Sequence, residues 1–272
     1  MAEKQITLRD KFWLWGHPEG RYNHMYKALE GKLSRMTPME GCAYLGVNNV
    51  FMVPVGIGLD RRQYNTTFRR LNEVAWECYD AASDPKKIEP FIEEAKDFKN
   101  IGSVVFDDFI RGGEYKKIPL ENLWQIRERL HNNEVRELNM WMVLYTNEFG
   151  TDPEFDNDFA RYMEPFDGIT MWTWNEKDVN LIPERFETLK KMAPNKRYLC
   201  GCYLWNFGDG QEATREAVEW QLNWYREKIY QGELEGVILH TNTMGDLGLD
   251  AYAAACEWMD KYGDEPYPVF NK

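Results

Sequence analysis

The chain has 272 residues, 43% of them hydrophobic and 29% charged, and carries a formal net charge of −12. That length buries a sizeable core in an ordinary globular protein, and so acidic a surface repels phosphate backbones, which excludes nucleic acid as a partner. No apolar run approaches the ~18 residues of a membrane span, and the opening MAEKQITLRD lacks the apolar centre of a signal peptide, so no membrane partner and a cytoplasmic location are expected.

Apolar runs of strand length alternate with helical patterns along the chain. The predicted strands are Phe12–His17, Val50–Val55, Glu73–Cys78, Ser103–Asp108, Asn139–Thr146, Ile169–Asn175, Tyr198–Asn206 and Val237–Asn242. Most are continuously apolar, as strands covered on both faces of a parallel sheet are. The helices between them open on recognisable caps. Thr37-Pro38-Met39-Glu40 reads as a capping box with Pro in the first turn, and Asp84-Pro85 and Asp152-Pro153 repeat the cap-then-Pro device. Apolar stripes follow at helical spacing, such as Ile182, Phe186 and Leu189, or Val218, Leu222, Tyr225 and Ile229. The segment GIGLDRRQYNTTFRRL has no such stripe and predicts only a short or irregular helix. Eight strands alternating with helices predict an α/β fold, a single (β/α)8 TIM barrel over residues 1–272.

Five cysteines, an odd and sparse set in a chain this long, do not make a disulfide framework. Cys200 and Cys202 share a face of one predicted strand and read as buried thiols.

In such barrels the C-terminal strand ends form the functional face. Asp107 and Asp108 stand there, at the end of SVVFDDF, where a carboxylate pair costs far less than inside a core. Strand alternation sends their side chains to opposite sides, and Asp108, the later residue, is taken as the one facing the cavity. The other strand ends contribute Trp15, His17 and Glu19; Glu77; Tyr145 and Glu148; Trp172, Trp174 and Asn175; Tyr203, Trp205 and Asn206; and His240 and Asn242. One of Trp172 and Trp174 is expected to pack between sheet and helices and the other to reach the cavity. The long loop after the first strand, GHPEGRYNHMYKALEGKLSR, is expected to fold over the mouth and bring Glu19, Arg21 or Tyr22 toward a ligand.

Carboxylates, indoles, amides and histidines on one rim suit a sugar, whose C–H face packs on aromatic rings and whose hydroxyls hydrogen-bond to polar side chains. Paired carboxylates are also what glycosidic cleavage requires. The arrangement resembles the (β/α)8 glycoside hydrolases, with acidic residues at strand ends and Trp at the rim. The resemblance implies a carbohydrate-active hydrolase acting on an oligosaccharide or glycoside, with no metal or other cofactor. The Asp-x-Asp-x-Glu signature of chitinase-like barrels is absent from VVFDDFIRGGE, and the Asn147-Glu148 dipeptide falls after the fifth strand rather than the fourth. Asp108 is expected to work opposite Glu77, with Glu148 in reserve. Two alternatives share the fold: a metal-dependent sugar isomerase or epimerase using Glu77, Asp107 or Asp108, Glu148 and His240, and a sugar-binding barrel without catalysis.

Overall fold

The structure, a computed structural model, describes residues 5–24, 29, 31–54 and 58–268. Among these, seven parallel strands follow in chain order: β1 (Phe12–Gly16), β2 (Asn49–Met52), β3 (Glu73–Glu77), β4 (Ile101–Phe106), β5 (Asn139–Tyr145), β6 (Gly168–Trp172) and β7 (Arg197–Tyr203). A small antiparallel hairpin, β8 (Trp205–Asn206) with β9 (Gln211–Glu212), precedes the eighth barrel strand, β10 (Gly236–His240). Each barrel strand pairs with its neighbours in sequence, and β1 closes the ring by pairing with both β10 and β2. The expected (β/α)8 barrel is present.

The helices α1 (Pro38–Leu45), α2 (Arg61–Thr67), α3 (Glu89–Asp97), α4 (Leu120–His131), α5 (Pro153–Met163), α6 (Ile182–Met192), α7 (Arg215–Tyr230) and α8 (Asp250–Tyr262) surround the barrel. Their starts follow the predicted chemistry. Thr37 Oγ1 accepts from Glu40 N while Glu40 returns a bond to Thr37 N, a complete capping box. Asp152 caps α5 by accepting from Glu154 N and Phe155 N. The stripeless segment yields only the short α2 and a 3-10 turn over Phe68–Arg70.

Strand alternation divides the core in two. Outward residues such as Val104, Met142, Cys200 and Cys202 pack under the helices, while Trp13, Trp15, Trp141, Trp172 and their neighbours fill the barrel. Barrel interiors are commonly filled by branched aliphatic residues; here four indoles do it, and glycines on adjacent strands make the room. A Cβ at Gly168 would stand 2.1 Å from Trp141 Cζ3, and one at Gly201 1.9 Å from Trp172 Cε3.

The strand ends differ from the sequence reading. β4 stops at Phe106, so Asp107 and Asp108 lie in a turn, and Asp108 has φ of 49°, left-handed backbone that Asp tolerates better than most residues. Strict alternation therefore does not govern the pair. β7 stops at Tyr203, where Leu204 N–H turns to His240 O, and the chain re-enters a sheet only as the hairpin. Trp172 packs inside the barrel rather than between sheet and helices. Val55, the expected end of the second strand, and residues 25–28 and 30 of the long loop lie outside the described residues.

Candidate active site

The C-terminal ends of the barrel strands form one mouth with two unlike arcs. Over β3, β4 and β5 stand Glu77, Asp107, Asp108 and Glu148. Over β6, β7, β10 and β1 stand Trp174, Tyr203, Phe207, His240, His17 and Tyr22. His240 and Asp108 are thus at the same end of the barrel, as the parallel strands require.

Tyr145, the last residue of β5, organises the acidic arc. Its Oη donates to Asp108 Oδ1 at 2.9 Å, and its backbone N–H donates to Glu148 Oε2 at 2.9 Å. One residue therefore touches both carboxylates. Burial pushes Glu148 up to about 7; the bond from Tyr145 N–H opposes this and the charge of Asp108 adds to it. Asp107 Oδ1 accepts from the N–H of Asp108, bracing the turn. Burial also raises Glu77, but its Oε1 folds back to accept from Tyr79 N–H at 2.5 Å. Each of the two raised carboxyls accepts a backbone N–H from its own chain, Glu77 from Tyr79 and Glu148 from Tyr145, and Asp108 reaches Glu148 through the hydroxyl of that same Tyr145. Tyr203 lies within the field of both Asp107 and Asp108 and also of Tyr22, so it joins the two arcs.

The second arc is a wall of rings. Phe207 stands 4.8 Å from both Tyr203 and His240 between ring centroids, and 5.4 Å from Trp174. Trp174 is 39% exposed and offers an open face, while Trp172 and Trp15 are buried below it as a floor, 5.2 Å apart. His17 is fixed as a neutral ring. Its Nδ1 donates to Val53 O at 2.8 Å, so Nε2 is the acceptor for Tyr22 Oη at 3.1 Å. Burial holds His17 down at about 4, and the nearby Arg21 charge acts in the same direction. Burial likewise holds His240 well below its ordinary value, with the neighbouring His17 acting in the same direction and its own backbone opposing, and among the described residues no other group bonds its Nδ1.

Other residues read as rim groups serve as braces. Asn242 is fully buried: its Oδ1 accepts from His17 N–H, and its Nδ2 donates to His17 O and Met36 O. It ties β1 to the long loop. Asn206 Oδ1 accepts from the N–H of Asp209 and of Glu176, and its Nδ2 donates to Asp209, so it closes the hairpin turn. Asn175 packs directly against Gly208 of that turn. Trp205 is 1% exposed and belongs to the layer under the helices, so the expected Tyr203–Trp205 pair at the mouth is corrected. The chain bends after Tyr203 and the alternation restarts. Of the long loop, Arg21 and Tyr22 reach the mouth, whereas Glu19 turns outward to accept from Tyr64 Oη at 3.2 Å. Phe207 was missed, because its place depends on the hairpin; the signal available was an aromatic residue inside NFGDG.

Among the described residues no group of three or more His, Cys, Asp and Glu side chains is placed to hold a metal ion. The set proposed for an isomerase is divided, with His240 among aromatic rings and the carboxylates on the opposite arc.

No family model and no curated protein matches the sequence. Solved structures match its fold over nearly the whole chain. The catalytic domain of a hyperthermophilic chitinase from Pyrococcus furiosus aligns with TM-score 0.60 at 14% identity, covering 98% of this chain and 99% of that one. A GH99 endo-alpha-mannosidase from Bacteroides thetaiotaomicron aligns with TM-score 0.55 at 10% identity, over 94% and 98%. A xylanase-alpha-amylase inhibitor protein, solved with trehalose, aligns with TM-score 0.52 at 12% identity, over 90% and 98%. At these identities the likeness is one of fold, and it includes glycoside hydrolase barrels.

Proposed function

We propose that this protein hydrolyses a glycosidic bond, with Glu148 as proton donor and Asp108 as the opposing carboxylate. The observation that carries this reading is the position of Tyr145 between the two: its hydroxyl holds Asp108 and its amide holds Glu148. A carboxyl group raised to about 7 still carries its proton near neutral pH. In the reaction Glu148 gives that proton to the leaving glycosidic oxygen as the C–O bond breaks. Asp108 faces the positive charge that develops at the anomeric carbon, either attacking it or activating a water. The exposed ring of Trp174, with Tyr203 behind it, offers a surface for the C–H face of a pyranose.

The test is a screen against oligosaccharides and aryl glycosides, followed by two variants on any substrate that is turned over. Asp108→Asn should lower turnover by ~10²–10⁴. Asp107→Asn should loosen the turn and change the melting temperature more than the rate. Full activity in Asp108→Asn would end the proposal. So would saccharide binding with no turnover of any substrate, which is the behaviour of a sugar-binding barrel.

A further inference from the structure

Among the described residues, two side chains on the aromatic arc have an enclosed nitrogen without a hydrogen-bond partner. One is His240, 4% exposed, whose Nδ1 is enclosed and unpartnered. The other is Arg21, whose Nε is also enclosed and unpartnered. Among the described residues no carboxylate stands within ion-pair distance of Arg21; its guanidinium lies over the ring of Tyr22, 5.9 Å from the centroid. The other face of this small cluster is His240, 5.9 Å from Tyr22.

Two other arginines among the described residues spend their guanidinium on backbone carbonyls. Arg185 donates to Thr146 O and Gly150 O, and Arg136 donates to Ala95 O, Phe98 O and Ile101 O. Arg127 also leaves its Nε unpartnered, but its Nη2 pairs with Asp167. A charged donor taken from water without an acceptor costs free energy. Arg21 encloses only its Nε at the mouth, on the side away from the four carboxylates, and is itself partly exposed.

We infer that the substrate is an anionic sugar, a uronic acid glycoside whose carboxylate docks on Arg21 with His240 beside it. The inference rests on the proposed hydrolase reading and adds the substrate class. A planar carboxylate matches the two-pronged guanidinium. The buried His240 ring can supply a further donor when its proton sits on Nδ1. The negative charge of Asp107 and Asp108 on the opposite arc repels the same carboxylate, which favours one orientation of the sugar. The scissile bond is then presented to Asp108 and Glu148.

Three aryl glycosides with the same leaving group test this: a hexuronide, the matching neutral hexoside and a sulfated hexoside. The hexuronide should be the best substrate, and Arg21→Gln should raise its KM by ~10- to 100-fold and that of the neutral hexoside by far less. Arg21→Lys, which keeps the charge and loses the fork, should recover only part of this. Equal kcat/KM for hexuronide and neutral hexoside would overturn the inference while leaving the hydrolase reading intact. So would an equal loss on both in Arg21→Gln, or preference for the sulfated sugar. Calorimetry with free glucuronate and glucose reads the site without turnover. If no glycoside is cleaved, glucuronate binding that is lost in Arg21→Gln still supports the anion site, and no preference over glucose refutes it.

Discussion

Replacing Glu148 by Gln should make the protein more stable at alkaline pH while abolishing its proposed chemistry. The amide keeps the volume of the side chain and an oxygen to accept from Tyr145 N–H, so the local geometry is retained. What it removes is the charge. The wild-type carboxyl titrates near 7 in the folded protein instead of its ordinary 4.5, chiefly because it is buried. Below pH 4.5 both folded and unfolded chains hold the proton, and the group has no effect on stability. Between 4.5 and 7 the unfolded chain has released a proton that the folded chain still keeps, so stability falls as pH rises. Above 7 the folded protein carries the full cost of a desolvated carboxylate, about 2–3 kcal/mol. Urea unfolding at pH 4.5 and pH 8.5 measures this directly. The Gln variant should match the wild type at the lower pH and gain about 2–3 kcal/mol at the higher one, through the midpoint and not the slope. On any cleaved substrate its turnover should fall by ~10²–10⁴. Equal stability of the two proteins at both pH values would show that Glu148 is not a desolvated acid, and the role given to it would fail.

Two further perturbations probe the wall and the floor of the mouth. Trp174→Ala removes an exposed ring, so it should raise KM for a cleaved glycoside by ~5- to 10-fold, equivalent to ~1 kcal/mol of stacking, with the melting temperature nearly unchanged; a large drop in melting temperature with unchanged KM would make Trp174 a packing residue. Gly201→Ala places a methyl 1.9 Å from Trp172 and should cost ~3 kcal/mol or more in urea unfolding, with part of the loss recovered in the double variant Gly201→Ala/Trp172→Leu; additive losses would mean that the indole is not what fills the space over Gly201.

The periodicity of the chain determined the barrel by itself. Continuous apolar runs such as Val104–Phe106 and Met140–Leu144 need cover on both faces, and caps such as Thr37 and Asp152 fix where helices begin. Those are local properties, and local sequence carries them. The composition of the rim was legible for the same reason, since a strand that ends in Tyr145, Trp172 or His240, or just before Asp107, delivers that residue to the C-terminal face whatever its neighbours are. Which of those residues meet was decided only in three dimensions. Alternation predicted opposed carboxylates at Asp107 and Asp108, but the left-handed backbone at Asp108 ends the strand and turns its side chain to Tyr145. Glu77 is the expected partner because its strand adjoins β4; in the fold it accepts the N–H of Tyr79, and Glu148 accepts the N–H of Tyr145, the residue whose hydroxyl holds Asp108. The bend after Tyr203 removes Trp205 from the mouth and brings Phe207 in. Asn242 and Asn206 stand among the strand-end residues, as read, but they bond backbone and, for Asn206, the Asp209 side chain. A hydrogen-bonding side chain takes whichever partner the folded backbone places within about 3 Å, and that choice depends on contacts between residues far apart in the chain.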